Sequence, residues 1–245
     1  MQKENIVIAS SSRTPMGSFQ GSLSKISATT LEIKNKKYKN LEVKVSNEKV
    51  DYLESISFLE NRVETIYKEK ERELIWFLEH PSIYTSGRGQ FVKTKHIDKV
   101  PVYNTGRGGK LTWHGPGQRI IYMAINLKKK KIDIRKFVSS LENFIISSLQ
   151  EIDIHSFKKP GLIGIWTKKN NNLEAKIASL GLRVSKGIIY HGISINLYCD
   201  LEKFYKINPC GIINANVTSI KEIKRETICY EDFDKILENK LYLFY

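Results

Sequence analysis

The spacing of apolar residues switches several times along the chain between the period of a helix and the period of a strand, and the order of these switches limits the possible folds. Apolar residues recur at three- and four-residue steps over residues 50–70, 134–152 and 230–243, which predicts three amphipathic helices. Short runs rich in β-branched and aromatic residues predict strands at 73–79, 119–127, 164–167, 175–184 and 188–197. Helices and strands in this irregular order predict a mixed α/β (α+β) layered domain rather than a regular alternation of strands and helices.

Length, charge and cysteine usage narrow the class of protein. The 245 residues suit one catalytic domain, and no apolar run is long enough to span a bilayer or to act as a secretion signal. Three widely spaced cysteines in no metal-binding pattern fit a reducing compartment, so we expect a cytoplasmic protein. The net charge of +14 comes mostly from lysines that accompany abundant Ile and Asn, and it permits an acidic protein partner without identifying one.

A glycine-rich segment, residues 107–118, carries the densest signal for a binding site. Four glycines and a proline within twelve residues allow a ligand to approach the main chain closely. An ordinary surface turn can be as rich in glycine, but it does not need the Arg, Thr, Trp and His side chains interleaved here. The segment also lacks the spacing and the terminal Lys-Ser/Thr of a phosphate loop. We therefore predict a binding loop of another kind.

Two predicted strands carry further polar residues. Lys176 lies at the start of an apolar strand, where a lysine is usually solvated but a desolvated one can exchange a proton near neutral pH. In the following strand, alternation predicts that His191 shares a face with Ile193, while Gly192 and Ser194 lie on the other face. That second face fits either the wall of a ligand site or a solvated sheet face.

Cys210 differs from the two other cysteines. It lies between Pro209 and Gly211, which predicts a thiol presented on a rigid turn, where a neighbouring cation would favour the reactive thiolate. Cys199 and Cys229 lie beside tyrosines near the ends of predicted elements, and we interpret them as small core residues. Cys210 is therefore the candidate nucleophile.

Five ordered motifs together resemble the octanoyltransferases of protein lipoylation. They are the His-Pro strand end at 80–81 with its Tyr-Thr-Ser-Gly turn, the Arg-Gly-Gly loop ending Thr-Trp-His-Gly-Pro-Gly-Gln at 118, Lys-Ile-Ala-Ser-Leu-Gly at 176–181, His-Gly-Ile-Ser-Ile-Asn at 191–196 and Asn-Pro-Cys-Gly-Ile at 208–212. Any one of them would be weak evidence, but five in this order are specific. The resemblance covers residues 41–245 and implies the biotin- and lipoate-attaching catalytic fold, a mixed sheet flanked by helices.

The resemblance also implies roles for individual residues. Cys210 would carry the acyl group as a thioester, with Lys176 as its partner in a Cys/Lys dyad. The substrate-binding residues would be Arg107, Gly108, Gly109, Lys110, Leu111, Thr112, Trp113, His114, Ser179, Leu180, Gly181, Gly192, Ile193 and Ser194. Of these, Leu111, Trp113, Leu180 and Ile193 are expected to wall an acyl tunnel. Trp113 stands where the family commonly has Tyr, which keeps an aromatic side chain but removes a hydroxyl.

The implied reaction moves an octanoyl group from octanoyl-acyl carrier protein to a lysine of lipoyl domains, both in 2-oxoacid dehydrogenase complexes and in the glycine cleavage H protein. Passage from a thioester to an amide is downhill, so we expect no cofactor, nucleotide or metal. We also expect no membrane or nucleic-acid partner, because the chain has no apolar run long enough to span a bilayer and no nucleic-acid-binding motif. Residues 1–40 would be an atypical leader, because residues 6–31 resemble the opening strand and loop of a thiolase. We expect this leader to be poorly ordered, since the rest of a thiolase core is missing.

Two other functions fit parts of the sequence. An ATP-dependent lipoate or biotin ligase would share the fold but would have no use for Cys210. The Gly-Pro-Gly after His114 also departs from the acidic residue or repeated Gly-Arg pattern expected of such ligases. A basic nucleic-acid-binding module would account for the charge, but the chain has no helix-turn-helix leader, zinc spacing or aromatic-basic RNA motif. The sequence therefore favours the acyl transferase.

Overall fold

The computed structural model of the chain describes residues 28–30, 38–169, 172–207 and 216–245. Its strands are β1 (Ala28–Thr30), β2 (Leu41–Lys49), β3 (Glu73–Glu79), β4 (Ile83–Ser86), β5 (His96–Ile97), β6 (Val100–Asn104), β7 (Leu111–His114), β8 (Gln118–Asn126), β9 (Ser156–Lys159), β10 (Leu162–Lys168), β11 (Glu174–Ser185) and β12 (Ile188–Asn196). Its helices are α1 (Tyr52–Tyr67), α2 (Leu127–Lys130), α3 (Ile134–Gln150), α4 (Glu202–Tyr205), α5 (Ile220–Lys224) and α6 (Tyr230–Lys240), followed by a 3-10 turn, Leu241–Leu243.

The strands form two sheets. Within the described residues, eight strands make one sheet in the order β1-β2-β3-β8-β12-β11-β10-β9, in which β2 and β3 are parallel and every other neighbouring pair is antiparallel. A smaller sheet has the order β5-β6-β4-β7. The chain that connects β6 to β7 lies against β11. At this contact the backbone N–H of Gly108 donates a hydrogen bond to the carbonyl oxygen of Leu182. This connection brings the predicted binding loop onto the large sheet.

Helix α1 covers one face of the large sheet. Asp51 caps its N-terminus by accepting a hydrogen bond from the Glu54 backbone N–H at 3.1 Å, which satisfies one otherwise unpaired donor of the first turn. The apolar stripe of the helix, which includes Leu59 and Val63, packs on a cluster from β3, β8 and β12 that includes Trp76 and other fully or nearly fully buried side chains. Helix α1 thereby fixes the position of its first residue, Tyr52, near the connection between β6 and β7.

Helices α3 and α6 cover the opposite face. Phe137, Leu141 and Phe144 recur on one side of α3 and belong to the largest hydrophobic cluster, together with Phe233 and Leu237 of α6. Full burial of one large apolar side chain stabilises the folded state by roughly 1.5–3 kcal/mol. This cluster therefore supplies much of the driving force for folding. The result is a layered α/β/α arrangement with the sheet in the middle.

A buried ion pair also fastens α6 to the centre of the sheet. Arg119 of β8 and Asp234 of α6 are 2% and 4% exposed, and their side chains form a bidentate pair in which Arg119 Nε donates to Asp234 Oδ1 at 2.9 Å. The Arg119 guanidinium also lies over the ring of Tyr230, 4.7 Å from its centroid. Because a buried charge is tolerated only when it is paired, α6 is required to complete this part of the core.

The predicted fold class is confirmed, and the predicted helices and strands are present with shifts at their ends. The sequence does not indicate strands β2, β4, β5, β7 and β9 or the short helices α2, α4 and α5. The helix predicted over residues 230–243 ends at Lys240 and continues as a 3-10 turn, and the strand predicted to end at Leu127 gives way there to helix α2. Most of the predicted leader and residues 208–215, which include Cys210, lie outside the described residues. No helix in the described ranges is long and apolar enough to cross a membrane.

Candidate functional site

The floor of the candidate site is a pair of glycines in the middle of the large sheet. Gly181 of β11 lies directly opposite Gly192 of β12. A Cβ atom on Gly192 would lie 1.8 Å from the carbonyl oxygen of Ile121 on β8, so only glycine fits at that position. A Cβ atom on Gly181 would lie 3.1 Å from Arg107 Cδ. The absence of a side chain at Gly181 lets the connection between β6 and β7 lie close to the sheet, whereas at Gly192 it lets β12 lie close to β8.

Arg107 organises that connection from within. Its side chain is buried, and its guanidinium donates hydrogen bonds to the Thr85 hydroxyl and to the carbonyl oxygens of Thr85, Gly108 and Lys110. Charge-assisted hydrogen bonds of this kind are about twice as strong as neutral ones. Arg107 therefore shapes the loop around the site, and its charge acts on the neighbouring histidines.

The loop and the floor enclose a cavity of about 60 Å³. Most of the predicted substrate-binding residues line it: Arg107, Gly109, Lys110, Thr112, His114, Ser179, Leu180, Gly181, Gly192, Ile193 and Ser194. The lining also contains residues outside the predicted substrate-binding set: Tyr52, Ile120, Tyr122 and His191. Tyr52 comes from α1, far along the chain from the motifs, and nothing in the local sequence marks it.

Leu111 and Trp113 do not line the cavity, contrary to the expected acyl tunnel, and neither does Gly108. Successive side chains of a strand point to opposite faces, so Thr112 and His114 of β7 face the cavity while Leu111 and Trp113 face away. Trp113 packs edge-on against Phe204 and donates its indole N–H to the Ser82 hydroxyl at 2.9 Å. The aromatic ring at position 113 thus supports β7 from behind.

His191 departs from the alternation of β12. Its φ of 65° lies in the left-handed region, which costs a non-glycine residue about 1–3 kcal/mol and is often found at functional sites. Its ring stacks on that of Tyr190, the preceding residue, with 4.7 Å between the centroids. The prediction that His191 shares a face with Ile193 is therefore wrong, because the backbone turns the imidazole to the Tyr190 side, next to Tyr122.

A chain of buried amides determines which nitrogen of His114 carries a proton. The Asn196 side-chain amide donates to the Thr218 carbonyl at 2.9 Å, and its oxygen accepts from Gln118 Nε2 at 2.8 Å. The Gln118 oxygen in turn lies 2.7 Å from His114 Nδ1. Because a backbone carbonyl can only accept, the direction of the whole chain follows, and Nδ1–H is the donor. Burial and then the charge of Arg107 lower the pKa of His114 to about 3, so Nε2 is an unprotonated acceptor.

Two further histidines near the cavity are also neutral. His80 Nδ1 lies 2.7 Å from the Val50 carbonyl oxygen, so Nδ1 donates and Nε2 accepts from the Tyr122 hydroxyl at 2.9 Å. Burial lowers the pKa of His80 to about 4. Burial, followed by the positive charges of Arg107 and Arg183, lowers the pKa of His191 to about 3. The side chains around the cavity are therefore arranged to hold uncharged imidazoles at neutral pH.

Lys176 lies in a second, larger depression. This groove has a volume of about 450 Å³ and runs between α3, the β9–β10 turn and the edge of β11. Most of its lining is aliphatic: Ile134, Val138, Leu162, Ile163, Leu180, Leu182, Val184 and Ile189. The groove and the cavity share Gly109, Lys110 and Leu180, so they are adjacent spaces separated by these residues.

The Lys176 side chain is 5% exposed and is held in place on several sides. Its Nζ donates to the Ile163 carbonyl oxygen at 2.9 Å and lies 5.0 Å from the centroid of the Trp166 ring. A Cβ atom on Gly164, whose φ is 127°, would lie 3.0 Å from Lys176 Cε. Gly164 thus provides the space that the lysine occupies.

The backbone of Lys176 meets the chain that follows residue 215. Its N–H donates to the Asn216 carbonyl at 2.8 Å, and its carbonyl accepts from the Thr218 N–H at 3.0 Å, which makes a parallel bridge with Val217. Cys210 itself lies outside the described residues. The same Thr218 anchors the amide chain that ends at His114.

The two cysteines in the described part of the chain are poorly suited to act as nucleophiles. Cys199 is buried as expected, and burial raises its pKa to about 12. Cys229 is exposed at the N-cap of α6, so its interpretation as a core residue is wrong. Its thiol donates to Asp232 Oδ2 at 3.1 Å, and this hydrogen bond raises its pKa. Both thiols are therefore held protonated at neutral pH.

Comparison with solved structures supports the fold. Lipoate-protein ligase A bound with ATP superposes with a TM-score of 0.61 at 12% identity, over 80% of this chain and 82% of that one. A bipartite lipoate protein ligase from Thermoplasma acidophilum superposes with a TM-score of 0.58 at 13% identity, over 82% of this chain and 81% of that one. At these identities the likeness establishes the architecture alone.

Comparison of sequences goes further. The chain is 43% identical over 202 residues to the octanoyltransferase of Ehrlichia canis, which covers 82% of this chain and 94% of the relative. It is 43% identical over 192 residues to the octanoyltransferase of Bartonella bacilliformis, which covers 75% of this chain and 80% of the relative. The sequence model of the lipoyl protein ligase A/B catalytic domain matches residues 51–242. The chain therefore belongs to the lipoyl protein ligase A/B catalytic-domain family, and it is an acyltransferase of the octanoyltransferase type.

Proposed function

We propose that the chain transfers an octanoyl group from octanoyl-acyl carrier protein to a lysine of lipoyl domains, through a thioester on Cys210, with Lys176 as the proton-transfer group. The observation that carries the proposal is the placement of Lys176. Its side chain is buried and lines a mostly aliphatic groove, and its backbone pairs with the chain at Asn216, six residues after Cys210. This pairing supports the proposal, because the chain that follows Cys210 meets the backbone of Lys176 at Asn216.

In the first half-reaction, Lys176 accepts the proton of the Cys210 thiol, and the thiolate attacks the carbonyl carbon of the carrier-protein thioester. A bond forms between Cys210 sulfur and that carbon, and the bond from the carbon to the carrier's sulfur breaks. The departing thiolate takes the proton held by Lys176. The products are octanoyl-Cys210 and carrier protein with a free thiol.

In the second half-reaction, a neutral lysine amine of a lipoyl domain attacks the carbonyl carbon of octanoyl-Cys210. An amide bond forms, the bond to Cys210 sulfur breaks, and Lys176 passes the proton lost by the amine to the departing thiolate. The conversion of a thioester into an amide is downhill, so the cycle balances without a nucleotide. The proposed acceptors are the lipoyl domains of 2-oxoacid dehydrogenase complexes and the glycine cleavage H protein, in the cytoplasm.

The shapes of the two spaces suggest how the acyl chain would lie. The cavity of about 60 Å³ holds only a few non-hydrogen atoms, since one water requires roughly 10–15 Å³ by the same measure. An octanoyl chain has too many atoms to fit in this cavity alone. With its carbonyl at Lys176 in the groove, the chain would pass Leu180 and place its last carbons in the cavity.

The proposal is tested by acyl-enzyme formation. Wild-type protein incubated with octanoyl-acyl carrier protein should gain one octanoyl group by intact mass, and the adduct should disappear when a lipoyl domain is added. Cys210→Ser and Lys176→Met should each form the adduct at least about 100-fold more slowly. Cys229→Ser is the matched control, because Cys229 is exposed at the N-cap of α6 and lines neither the cavity nor the groove, and it should behave as wild type.

Two outcomes would exclude the proposal. One is formation of the octanoyl adduct by Cys210→Ser at the wild-type rate. The other is transfer that requires ATP, which would instead support a ligase that activates free octanoate. Running the reaction with octanoyl-acyl carrier protein and no nucleotide therefore separates the two mechanisms directly.

A further inference from the structure

Phe91, in the connection between β4 and β5, is the most exposed large apolar side chain among the described residues. It is 76% exposed, and the next most exposed, Ile163 at 63%, lines the groove that contains Lys176. A single exposed apolar side chain is ordinary on a protein surface and by itself indicates nothing. The Phe91 loop (residues 87–95) differs in how firmly it is held, in its charge and in its position.

The Phe91 loop is fastened to the protein on both sides of its apolar tip. Before the tip, the Gly89 N–H donates to the carbonyl oxygen of Gly109 at 3.0 Å. After the tip, the Asn104 side chain accepts from the Val92 N–H at 2.9 Å and donates to the Val92 carbonyl oxygen at 2.8 Å. The Val92 side chain packs inward against a hydrophobic cluster. Phe91 is therefore held outward before a partner binds, which lowers the entropic cost of binding through it.

The charges around Phe91 are all positive. A Cβ atom on Gly89 would lie 3.3 Å from Lys110 Cγ, so Lys110 adjoins the loop. With the cations of the loop itself, this makes four: Arg88, Lys93, Lys95 and Lys110. Within the described ranges none of the four forms an ion pair, and Asp98, the one acidic residue between positions 87 and 110, is paired with Lys206 at 3.4 Å. A partner with carboxylates around an apolar patch would complement this surface.

The loop also adjoins the groove that the acceptor amine has to enter. Gly109, to which Gly89 is hydrogen-bonded, lines the groove together with Lys176. In the proposed function, on which this inference rests, the attacking amine belongs to a lysine of a folded domain. An extended lysine side chain spans only about 6 Å from Cα to Nζ. The surface of the acceptor domain must therefore lie on the rim of the groove while the amine attacks.

A domain in that position is large enough to cover Phe91 as well. Phe91 is two residues from Gly89, a span of at most about 7 Å. A domain of about 100 residues has a radius of gyration of about 13 Å. An acyl group on the long prosthetic arm of a carrier protein, by contrast, can reach the groove from a more distant docking position. We propose that the Phe91 loop is a docking surface for the acceptor lipoyl domain, with Phe91 as its apolar anchor and the four cations facing carboxylates of the domain.

The experiment measures the two half-reactions separately. Octanoyl-enzyme is formed from octanoyl-acyl carrier protein, isolated, and mixed with either a lipoyl domain or the small amine Nα-acetyl-lysine amide. Phe91→Ala should lower the second-order rate constant for the lipoyl domain by about 30-fold, a usual loss for an aromatic anchor. Because Phe91 lines neither the cavity nor the groove, acyl-enzyme formation and the reaction with the small amine should stay within about twofold of wild type.

A double substitution, Lys93→Glu with Lys95→Glu, tests the charges. It should lower the rate constant for the lipoyl domain by about tenfold at low salt and flatten its dependence on salt concentration. The matched control is Lys68→Glu with Lys70→Glu, which changes the net charge equally at exposed positions after α1. Tyr242→Ala, at a side chain 52% exposed after α6, is the control for Phe91. Both controls should react with the lipoyl domain within about twofold of wild type.

Three outcomes would overturn the docking surface. One is an unchanged rate constant for the lipoyl domain in Phe91→Ala. Another is acyl-enzyme formation slowed by a similar factor, which would assign the loop to the carrier protein. The third is an equal loss with the lipoyl domain and with the small amine, which would indicate a change inside the groove. Absence of octanoyl-enzyme in the wild type would instead reject the proposed function.

Discussion

Acidification should destabilise this protein well above the pH at which ordinary carboxylates titrate. His80, His114 and His191 are buried, and their pKa values are lowered to about 4, 3 and 3, against 6.5 for an unperturbed histidine. Because each folded pKa lies below the unfolded one, the unfolded chain binds more protons between them. Stability is therefore complete above pH 6.5 and is lost as the pH falls toward the folded pKa values.

The size of the effect follows from the same shifts. At pH 5, about 1.5 units below the unfolded pKa, each imidazole costs about 2 kcal/mol of unfolding free energy, or roughly 6 kcal/mol for three. Burial raises the pKa of Asp234 and of Glu238, which opposes part of this loss. We therefore expect a net loss of about 3–6 kcal/mol between pH 7.5 and pH 5, a large share of the 5–15 kcal/mol typical of a domain.

Urea unfolding followed by tryptophan fluorescence at half-unit steps from pH 7.5 to pH 5 measures this loss. His80→Gln provides an internal check: whatever its stability at pH 7.5, its loss on acidification should be smaller by about 2 kcal/mol, since one titrating group is gone. An unfolding free energy that stays within about 1 kcal/mol across this range would refute the argument that the imidazoles are held neutral by burial.

Three further predictions concern single residues. Gly192→Ala should abolish soluble expression or lower the unfolding free energy by more than about 3 kcal/mol, because its Cβ would lie 1.8 Å from Ile121 O. Gly161→Ala is the control measured by thermal unfolding: nothing lies within 4 Å of its Cβ, so it should lose only about 1 kcal/mol because of its φ of 75°. Asp234→Ala should cost about 3–5 kcal/mol by leaving Arg119 buried and unpaired, while Asp232→Ala, at an exposed carboxylate of the same helix, should cost much less; equal effects would contradict the buried pair. Iodoacetamide at pH 8 should leave Cys199 unlabelled in the folded protein because burial raises its pKa to about 12, and rapid labelling detected by peptide mass would show that the thiol is accessible.

Much of the fold could be predicted because the relevant signals are local. The stripe of Phe137, Leu141 and Phe144 defines α3 through its spacing, and the strand over residues 73–79 matches the observed element. The glycines of the site were recognised through their motifs, although the contact that excludes a Cβ at Gly192 is made by a different strand. Such a contact depends on sheet order, which periodicity does not report.

The errors in the site arise from geometry that a linear pattern does not express. Period-two alternation in β7 separates Thr112 and His114 from Leu111 and Trp113, but the glycines on both sides of this short strand make it resemble part of one loop in the sequence. For His191 the same alternation misleads, because a left-handed residue within a strand reverses the direction of its side chain. Each of these errors concerns the direction of a side chain on a correctly located segment.

Two classes of residue were beyond reach from sequence alone. Tyr52 contributes to the cavity only because α1 packs across β8 and β12, and the local sequence does not report that packing. Gln118 and Asn196 are the last residues of two of the sequence motifs. The hydrogen bonds that join them to each other and to Thr218 form only because β8 pairs with β12. Both the position of Tyr52 and these hydrogen bonds depend on which elements pack together in the folded protein.

The Arg119–Asp234 pair has a consequence for the order of events during synthesis. Arg119 lies in the central strand β8, and its counter-ion arrives more than one hundred residues later, in α6. A nascent chain that has released β8 and its neighbours from the ribosome would have to bury an uncompensated guanidinium to close the sheet, which is strongly unfavourable. We therefore expect the emerging chain to stay open and dependent on chaperones until α6 leaves the exit tunnel, and then to close in one cooperative step.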